Sequence, residues 1–252
     1  MKCLVINLRR AVERKQYISN QLNQVSQEFE FVAGVDWKEI DASLQPVTAR
    51  HIKIKNSFRS LSMGEIGCNL SHRKILKWLA SSSEKMIAVL EDDVRISKDF
   101  PEAITVLAET HCKFDIVFLG SDSQKGQLTN LIPLSNKFHL SLRSKRDMGA
   151  WGYVITRQAA QKFLKIFPEI TGPIDDALHA YYVHGLKTFT LNPQIVFHEE
   201  EAKKNSYNLE KTHKKKFKEK IMNFPLKYYE KYVYKVHFLR RRGLEKLENN
   251  TG

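Results

Sequence analysis

The chain has 252 residues, 42% of them apolar and 10% aromatic. That is enough to bury one substantial core and too apolar for a disordered chain. Cys3, Cys68 and Cys112 are scattered without a CxxC pair, a pattern that predicts neither a disulfide framework nor a zinc site and fits a reducing cytosol. The net charge is +13, but residues 203–242 alone carry fourteen Lys and Arg against Glu210, Glu219 and Glu230. The rest of the chain is therefore close to neutral. With the charge confined to a tail and no helix-turn-helix, zinc or RNA-binding pattern, a nucleic-acid partner is disfavoured. No run approaches the roughly 18 apolar residues of a transmembrane helix. The apolar run at the N-terminus is too short for a signal-peptide core and reads as a first strand.

Cys3–Leu8 predicts that strand, and Ile18, Leu22, Val25 and Phe29 then recur at helical spacing, giving a βα unit. Phe31–Asp36 is a second strand ending on a carboxylate. Residues 37–60 are mixed and polar and support no assignment. Ser62-Met63-Gly64-Glu65 has the capping-box pattern of a helix start, and Ile66, Leu70, Ile75, Leu76 and Leu79 form its apolar face. Glu65, Cys68 or Asn69, and His72 share one side of that helix.

Met86–Leu90 is a continuous apolar run, the pattern of a buried strand, and it leads directly into Glu91-Asp92-Asp93. Ligands in open α/β sheets bind outside the carboxyl ends of strands. Alternation along the backbone sends Glu91 and Asp93 one way and Asp92 the other. Two converging hard oxygen ligands suit Mg²⁺ or Mn²⁺. The residues alone leave open a strand followed by an acidic turn. Further on, Asp99 is placed to cap a helix carrying Ile104 and Leu107, and Phe114–Gly120 is another strand. Residues 121–147 read as a long surface loop around a short strand, Phe138–Leu142. Gly149–Thr156 returns to the core, and Ala160, Phe163, Leu164 and Phe167 mark a helix. Gly172-Pro173-Ile174-Asp175-Asp176 is a turn opening a helix to about His184, with Gly185 as its stop. Lys187–Leu191 and Ile195–His198 close the body.

Alternating strands and helices give an α/β domain over 1–202. From 203 the chain is basic, aromatic and interrupted by Pro225. Phe217, Ile221 and Phe224, then Tyr228 or Tyr229, Tyr232, Val236 and Leu239, fall at helical spacing with lysines between. Residues 203–252 thus read as a basic amphipathic helical tail, expected on an anionic membrane surface; the competing reading is a charged face packed on the domain.

Taken together, Asn-Leu-Arg-Arg (7–10) with Arg14, Leu-Ser-Met-Gly-Glu-Ile-Gly-Cys-Asn-Leu-Ser-His (61–72), Leu-Glu-Asp-Asp (90–93), Gly-Ala-Trp-Gly-Tyr (149–153) and Pro-Ile-Asp (173–175) resemble glycosyltransferase family 25. That family comprises the galactosyltransferases of bacterial lipooligosaccharide synthesis and their collagen-modifying relatives. The resemblance spans about 3–200 and implies a GT-A-like, single Rossmann-type domain, a UDP-sugar donor, Mn²⁺ or Mg²⁺, and inversion at the anomeric carbon. It makes Asp93 the first metal ligand, with Glu91 at the metal or the ribose. His198 stands where family members carry a polar residue, often Gln, and is a further candidate metal or diphosphate ligand.

By the same resemblance Asp175, or Asp176 beside it, is the catalytic base. Asn7, Arg10, Arg14, Asp36, Glu65, His72, Asp92 and Gly149 belong to donor binding. Bland alternatives stand beside these roles: Glu65 as the capping-box partner of Ser62, His72 as a buried helix histidine, Asp175 and Asp176 as helix-start carboxylates. Trp151 and Tyr153 read either as sugar-stacking rings or as core. The expected function is transfer of a sugar, galactose by family habit and β-linked, to a lipooligosaccharide or lipopolysaccharide acceptor. The enzyme would lie on the inner face of the cytoplasmic membrane. Rival classes are a metal-dependent nucleotidyltransferase and a non-catalytic glycan- or nucleic-acid-binding protein.

Overall fold

The computed structural model describes residues 1–39, 61–120, 128–144, 148–170, 172–198 and 232–241. In chain order its elements are β1 (Lys2–Asn7), α1 (Val12–Gln24), β2 (Glu30–Ala33), α2 (Met63–Ser81), β3 (Met86–Glu91), β4 (Val94–Ile96), α3 (Phe100–Glu109), β5 (Ile116–Phe118), β6 (Leu128–Pro133), β7 (His139–Arg143), β8 (Gly152–Thr156), α4 (Arg157–Ile166), α5 (Ile174–Leu178), α6 (Tyr181–His184), β9 (Thr188–Asn192) and β10 (Val196–His198). A 3-10 turn covers Trp37–Glu39, and residues 232–241 form a last helix, α7.

Eight strands make one sheet in the order β2-β1-β3-β8-β5-β9-β7-β6. β1 pairs in parallel with both β2 and β3. β8 lies antiparallel between β3 and β5, and β9 follows β5 in parallel. β1, β2, β3, β5 and β9 therefore run the same way, and their carboxyl ends share one edge. Side-chain alternation fills both faces. Cys3, Val5, Ala88, Leu90 and Val154 pack with α1 and α3 on one side. Leu4, Ile6, Ile87, Val89 and Ile155 pack with α2, α4 and α5 on the other. Burial on both faces is why these strands read as unbroken apolar runs. The result is the α/β, Rossmann-type arrangement expected of the sequence, with antiparallel strands inserted in the sheet.

Three local expectations are corrected. The excursion read as a loop over 121–147 contains a β6–β7 hairpin on the sheet edge. Phe138, Leu140 and Leu142 are buried there against the main core; residues 121–127 and 145–147 lie outside the described residues. The helix read from the 172–176 turn to about His184 is broken at His179-Ala180 into α5 and α6. Asp99 makes no side-chain cap to α3; its Oδ1 instead receives Lys137 Nζ at 2.7 Å.

Of the tail, the described part is α7. Tyr234 and Phe238 on it are buried against the domain, whereas Tyr232, Val236 and Leu239 are exposed. The stretch with Phe217, Ile221, Phe224, Tyr228 and Tyr229 lies outside the described residues. Among the described residues no helix is long and apolar enough to cross a membrane.

Candidate functional site

The site grows from the carboxyl ends of β1, β2 and β3. Asn7 ends β1, and its Nδ2 donates to Asp92 Oδ2 at 2.7 Å and to the Ala11 carbonyl at 3.1 Å. Arg14, in the first turn of α1, donates from Nη1 to Asp92 Oδ1 at 3.3 Å and Asp93 Oδ2 at 3.1 Å. Asp92 is thus held by two donors that tie β1 and α1 to the end of β3. Burial raises its pKa despite those bonds. Asp93 differs: its Oδ1 is buried and has no hydrogen-bond partner among the described residues. Burial first, then the charge of Glu91, pushes its carboxyl well above the ordinary range. A buried, half-satisfied carboxylate beside another is costly unless a cation joins them. The orphaned oxygen and its hard oxygen neighbours fit Mg²⁺ or Mn²⁺.

The opposite wall is α2. Its start is fixed by the capping box: Glu65 N–H donates to Ser62 Oγ and Ser62 N–H to Glu65 Oε2 at 2.8 Å. Glu65 therefore has a structural role at the helix start, and Gly64, rather than Glu65, lines the cleft. One and two turns on, Cys68 and His72 face Glu91: His72 Nε2 lies 3.1 Å from Glu91 Oε1, and Cys68 Sγ lies 3.9 Å from the same oxygen. His72 is 0% exposed, and its Nδ1 lies 3.0 Å from the Tyr153 hydroxyl. Tyr153 is thus a core ring with a polar function. The Cys68 thiol is pushed far up by burial and then by the charges of Glu91, Asp175 and Asp93. The charges of all three carboxylates are therefore felt at Cys68, and Glu91 is the one in contact with it.

Asp175 stands in the first turn of α5. Its Oδ2 accepts from Gly149 N–H at 3.3 Å, while His179 Nε2 meets the Gly149 carbonyl at 3.0 Å. The Gly149 peptide is thereby clamped on both sides, with φ at +96°. Asn69 Nδ2 donates to the Gly172 carbonyl at 2.7 Å, fixing the turn that carries Asp175 to the same helix as His72. Asp175 remains half-exposed and Asp176 is buried.

Arg10 forms a fork with Asp36 through Nε and Nη2, which holds the Asp36 carboxyl below its ordinary range. The two form a braced pair at the ends of β1 and β2. The cleft between these strand ends and α2 has Ile6, Leu8, Val35 and Trp37 as an apolar wall, facing Cys68, His72, Glu91 and Asp93. His198 stands apart from that lining. It pairs across β10–β4 with Val94, next to Asp93, and packs edge-on to Trp151 at 5.1 Å.

Sequence reasoning left out Trp37 and His179. Trp37 sits in a stretch with no periodicity, and nothing near His179 in the chain marks it as a partner of Gly149. Cys68 was legible only as one of two residues on the His72 face. A wider hollow at the opposite end of β1, between Met1–Cys3 and Asn23–Glu30, carries none of the motif residues.

A mixed α/β sheet with ionisable groups gathered at the carboxyl ends of its parallel strands defines a ligand-binding protein of the Rossmann type. The family model for "Glycosyltransferase family 25 (LPS biosynthesis protein)" matches residues 1–178, and the chain belongs to that family. A "Glycosyltransferase 25 family member" of Drosophila pseudoobscura pseudoobscura is 29% identical over 195 residues, 74% of this chain and 31% of the relative. "Procollagen galactosyltransferase 2" of Homo sapiens is 24% identical over 220 residues, 77% of this chain and 34% of the relative. The chain spans about a third of the length of these curated relatives. Among solved structures, S. aureus TarS 1-349 is 17% identical, with a TM-score of 0.40 over 78% of this chain and 59% of that one.

Proposed function

We propose that the chain is an inverting, metal-dependent glycosyltransferase that moves a sugar, galactose in a β-linkage, from a UDP-sugar to a lipid-linked oligosaccharide of the lipooligosaccharide or lipopolysaccharide type. The observation that carries this reading is the buried, unbonded Oδ1 of Asp93 at the end of β3. Burial, then the charge of Glu91 two residues before it in the chain, raises the pKa of Asp93, and the charges of Asp93, Glu91 and Asp175 are all felt at the Cys68 thiol. Asp93 and Glu91 would hold Mn²⁺ or Mg²⁺, with His198 as an outer candidate. A divalent ion there supplies a clamp for a diphosphate and offsets the charge that gathers on a leaving nucleotide.

The chain's own residues supply the rest. The apolar wall of Leu8, Val35 and Trp37 suits a planar base. The braced pair Arg10–Asp36 and the Asn7–Asp92–Arg14 network hold the strand ends that face the nucleotide. His72 orients Glu91. In the transfer, an acceptor hydroxyl oxygen bonds to the anomeric carbon as the bond from that carbon to the UDP oxygen breaks. The electron pair leaves with UDP, and the hydroxyl proton passes to Asp175. Gly149 N–H, which donates to Asp175 Oδ2, aims the carboxylate. Asp175 suits the role better than Asp176 because a proton acceptor must be reached by the acceptor sugar, and Asp176 is buried.

The test is UDP release from a panel of UDP-sugars with a lipooligosaccharide glycan, with and without Mn²⁺, on wild type, Asp93→Ala and Asp175→Asn. The expected result is turnover with one donor that requires the ion and falls by at least 10³-fold in either variant, on the order of 4 kcal/mol of transition-state stabilisation. Donor binding without UDP release from any glycan would point to a non-catalytic relative. Formation of a sugar nucleotide from an NTP and a sugar phosphate would replace the reading with nucleotidyl transfer.

A further inference from the structure

Cys68 has no part in the transfer just described, yet it is placed like a ligand. It precedes His72 by one turn of α2, so the two side chains leave the helix on the same face. Glu91 meets them from the end of β3. Sγ, Nε2 and the Glu91 carboxylate oxygen all lie within 4.8 Å of one another. The shortest separations are 3.1 Å for N to O and 3.9 Å for S to O. Ligand atoms at the corners of a zinc tetrahedron are separated by roughly 3.3–3.6 Å, given Zn–N near 2.0 Å and Zn–S near 2.3 Å. The N–O pair has to widen and the S–O pair to close by only a few tenths of an ångström, and sulfur and nitrogen already lie within 4.8 Å of each other.

We propose that Cys68, His72 and Glu91 form a binding site for a thiophilic divalent cation of the zinc class, distinct from the hard-cation position at Asp93. A sulfur, an imidazole and one carboxylate select Zn²⁺ or Co²⁺ over Mg²⁺ and Mn²⁺, which prefer oxygen. The second coordination layer is present: a metal-bound imidazole ordinarily uses its other nitrogen in a hydrogen bond that orients the ring, and Nδ1 of His72 meets the hydroxyl of the fully buried Tyr153. All three ligands line the cleft, so the fourth position of the ion opens toward it. On binding, the Cys68 thiol gives its proton to solvent as the sulfur–metal bond forms. The thiolate and Glu91 then balance the two charges of the ion. Because Glu91 serves both positions, occupancy here opposes a hard cation at Asp93. Zinc is therefore an antagonist of the transfer. That consequence rests on the proposed function; the site does not.

The experiment is titration of the metal-stripped full chain with Co²⁺. The expected result is a thiolate-to-cobalt charge-transfer band in the near ultraviolet that saturates at one equivalent and is displaced by Zn²⁺. The band is absent in Cys68→Ser and kept in Cys112→Ser and Asp93→Asn. Tyr153→Phe weakens Zn²⁺ binding by about 10–100-fold, as loss of an outer partner does. X-ray absorption on zinc-loaded wild type needs no variant: one sulfur at about 2.3 Å, with nitrogen and oxygen near 2.0 Å, is expected. A shell of nitrogen and oxygen alone, or a band that survives Cys68→Ser, overturns the site. Zn²⁺ bound with sulfur but without effect on Mn²⁺-dependent UDP release keeps the site and removes the antagonism.

Discussion

At Gly149 the backbone sits at φ +96°, and a Cβ there would fall 1.9 Å from Cζ3 of Trp151. Both of its peptide groups are engaged, the N–H by Asp175 and the carbonyl by His179. Gly149→Ala must therefore strain the backbone, displace a buried indole and shift the clamp on the proposed base. The backbone alone costs about 1–3 kcal/mol. Gly185→Ala is the matched control: φ is +63°, but the nearest atom is Lys162 Nζ at 3.7 Å. Urea unfolding should show a loss near 1 kcal/mol at Gly185 and a distinctly larger one at Gly149. UDP release should fall at least 100-fold in Gly149→Ala and stay near wild type in Gly185→Ala. Equal losses at the two positions would contradict the role given to the clamp. The glycine stood out in the sequence only as a donor-binding candidate within Gly-Ala-Trp-Gly-Tyr, and the reason a glycine is needed was not legible. The ring that fills the Cβ position is two residues away and turned back by a conformation that no periodicity encodes.

Among the elements, those whose pattern repeats were read from the chain: β1, β3, α2 with its Ser62–Glu65 box, and α4 all carry an unbroken apolar run or stripe. The β6–β7 hairpin and the break between α5 and α6 were not, because each depends on a partner distant in sequence. Leu140 pairs with Leu191 and with Ile132. The break at His179 is accompanied by a ring stacked on Phe118 at 3.7 Å. The α6–β9 junction also stores a pH dependence. His184 is buried, with Nδ1 accepting from Leu186 N–H and Nε2 3.1 Å from the Leu178 carbonyl. That arrangement makes the ring neutral, and burial lowers its pKa from 6.5 to about 4. Between those values the unfolded chain takes up a proton that the folded chain refuses. This part of the stability is full above pH 6.5 and is lost as pH falls toward 4, at about 1.4 kcal/mol per unit. Wild type should lose about 2 kcal/mol more than His184→Asn between pH 6.5 and 5 in urea unfolding. In wild type the ring's NMR signals should stay those of neutral imidazole at pH 5; protonation there would remove the effect.

On the scale of the whole molecule, α7 has two working faces. One is fastened to the domain: the Tyr181 hydroxyl donates to the Tyr234 carbonyl at 3.3 Å and the Tyr234 hydroxyl to the Arg143 carbonyl at 3.2 Å. Arg241 donates to the Thr188 carbonyl at 2.7 Å and lies over the rings of Tyr181 and Phe189. The other face holds Tyr232 at 66%, Val236 at 43% and Leu239 at 53% exposure, one stripe at i, i+4 and i+7 flanked by Lys235 and Arg240. The two sequence readings of the tail, packed on the domain or turned to a bilayer, are therefore compatible in one helix. Domain docking fixes it and leaves an apolar stripe among cations facing outward. We propose that this stripe meets an anionic bilayer, where each nearby basic residue contributes about 1 kcal/mol. Full-length protein should sediment with vesicles containing phosphatidylglycerol and not with neutral ones, and high salt should weaken the binding. Tyr232→Ser/Val236→Ser/Leu239→Ser should lower the affinity at least tenfold with no change in unfolding midpoint, since all three are exposed. α7 docks where β9 begins, beside Thr188, which is level with Ile116, whereas Glu91 closes the opposite end of β3. The cleft should then stay open on the vesicle, and UDP release with a soluble acceptor should be unaltered by it. Equal binding to neutral vesicles, or full affinity in the triple variant, would assign the stripe to something other than an anionic membrane.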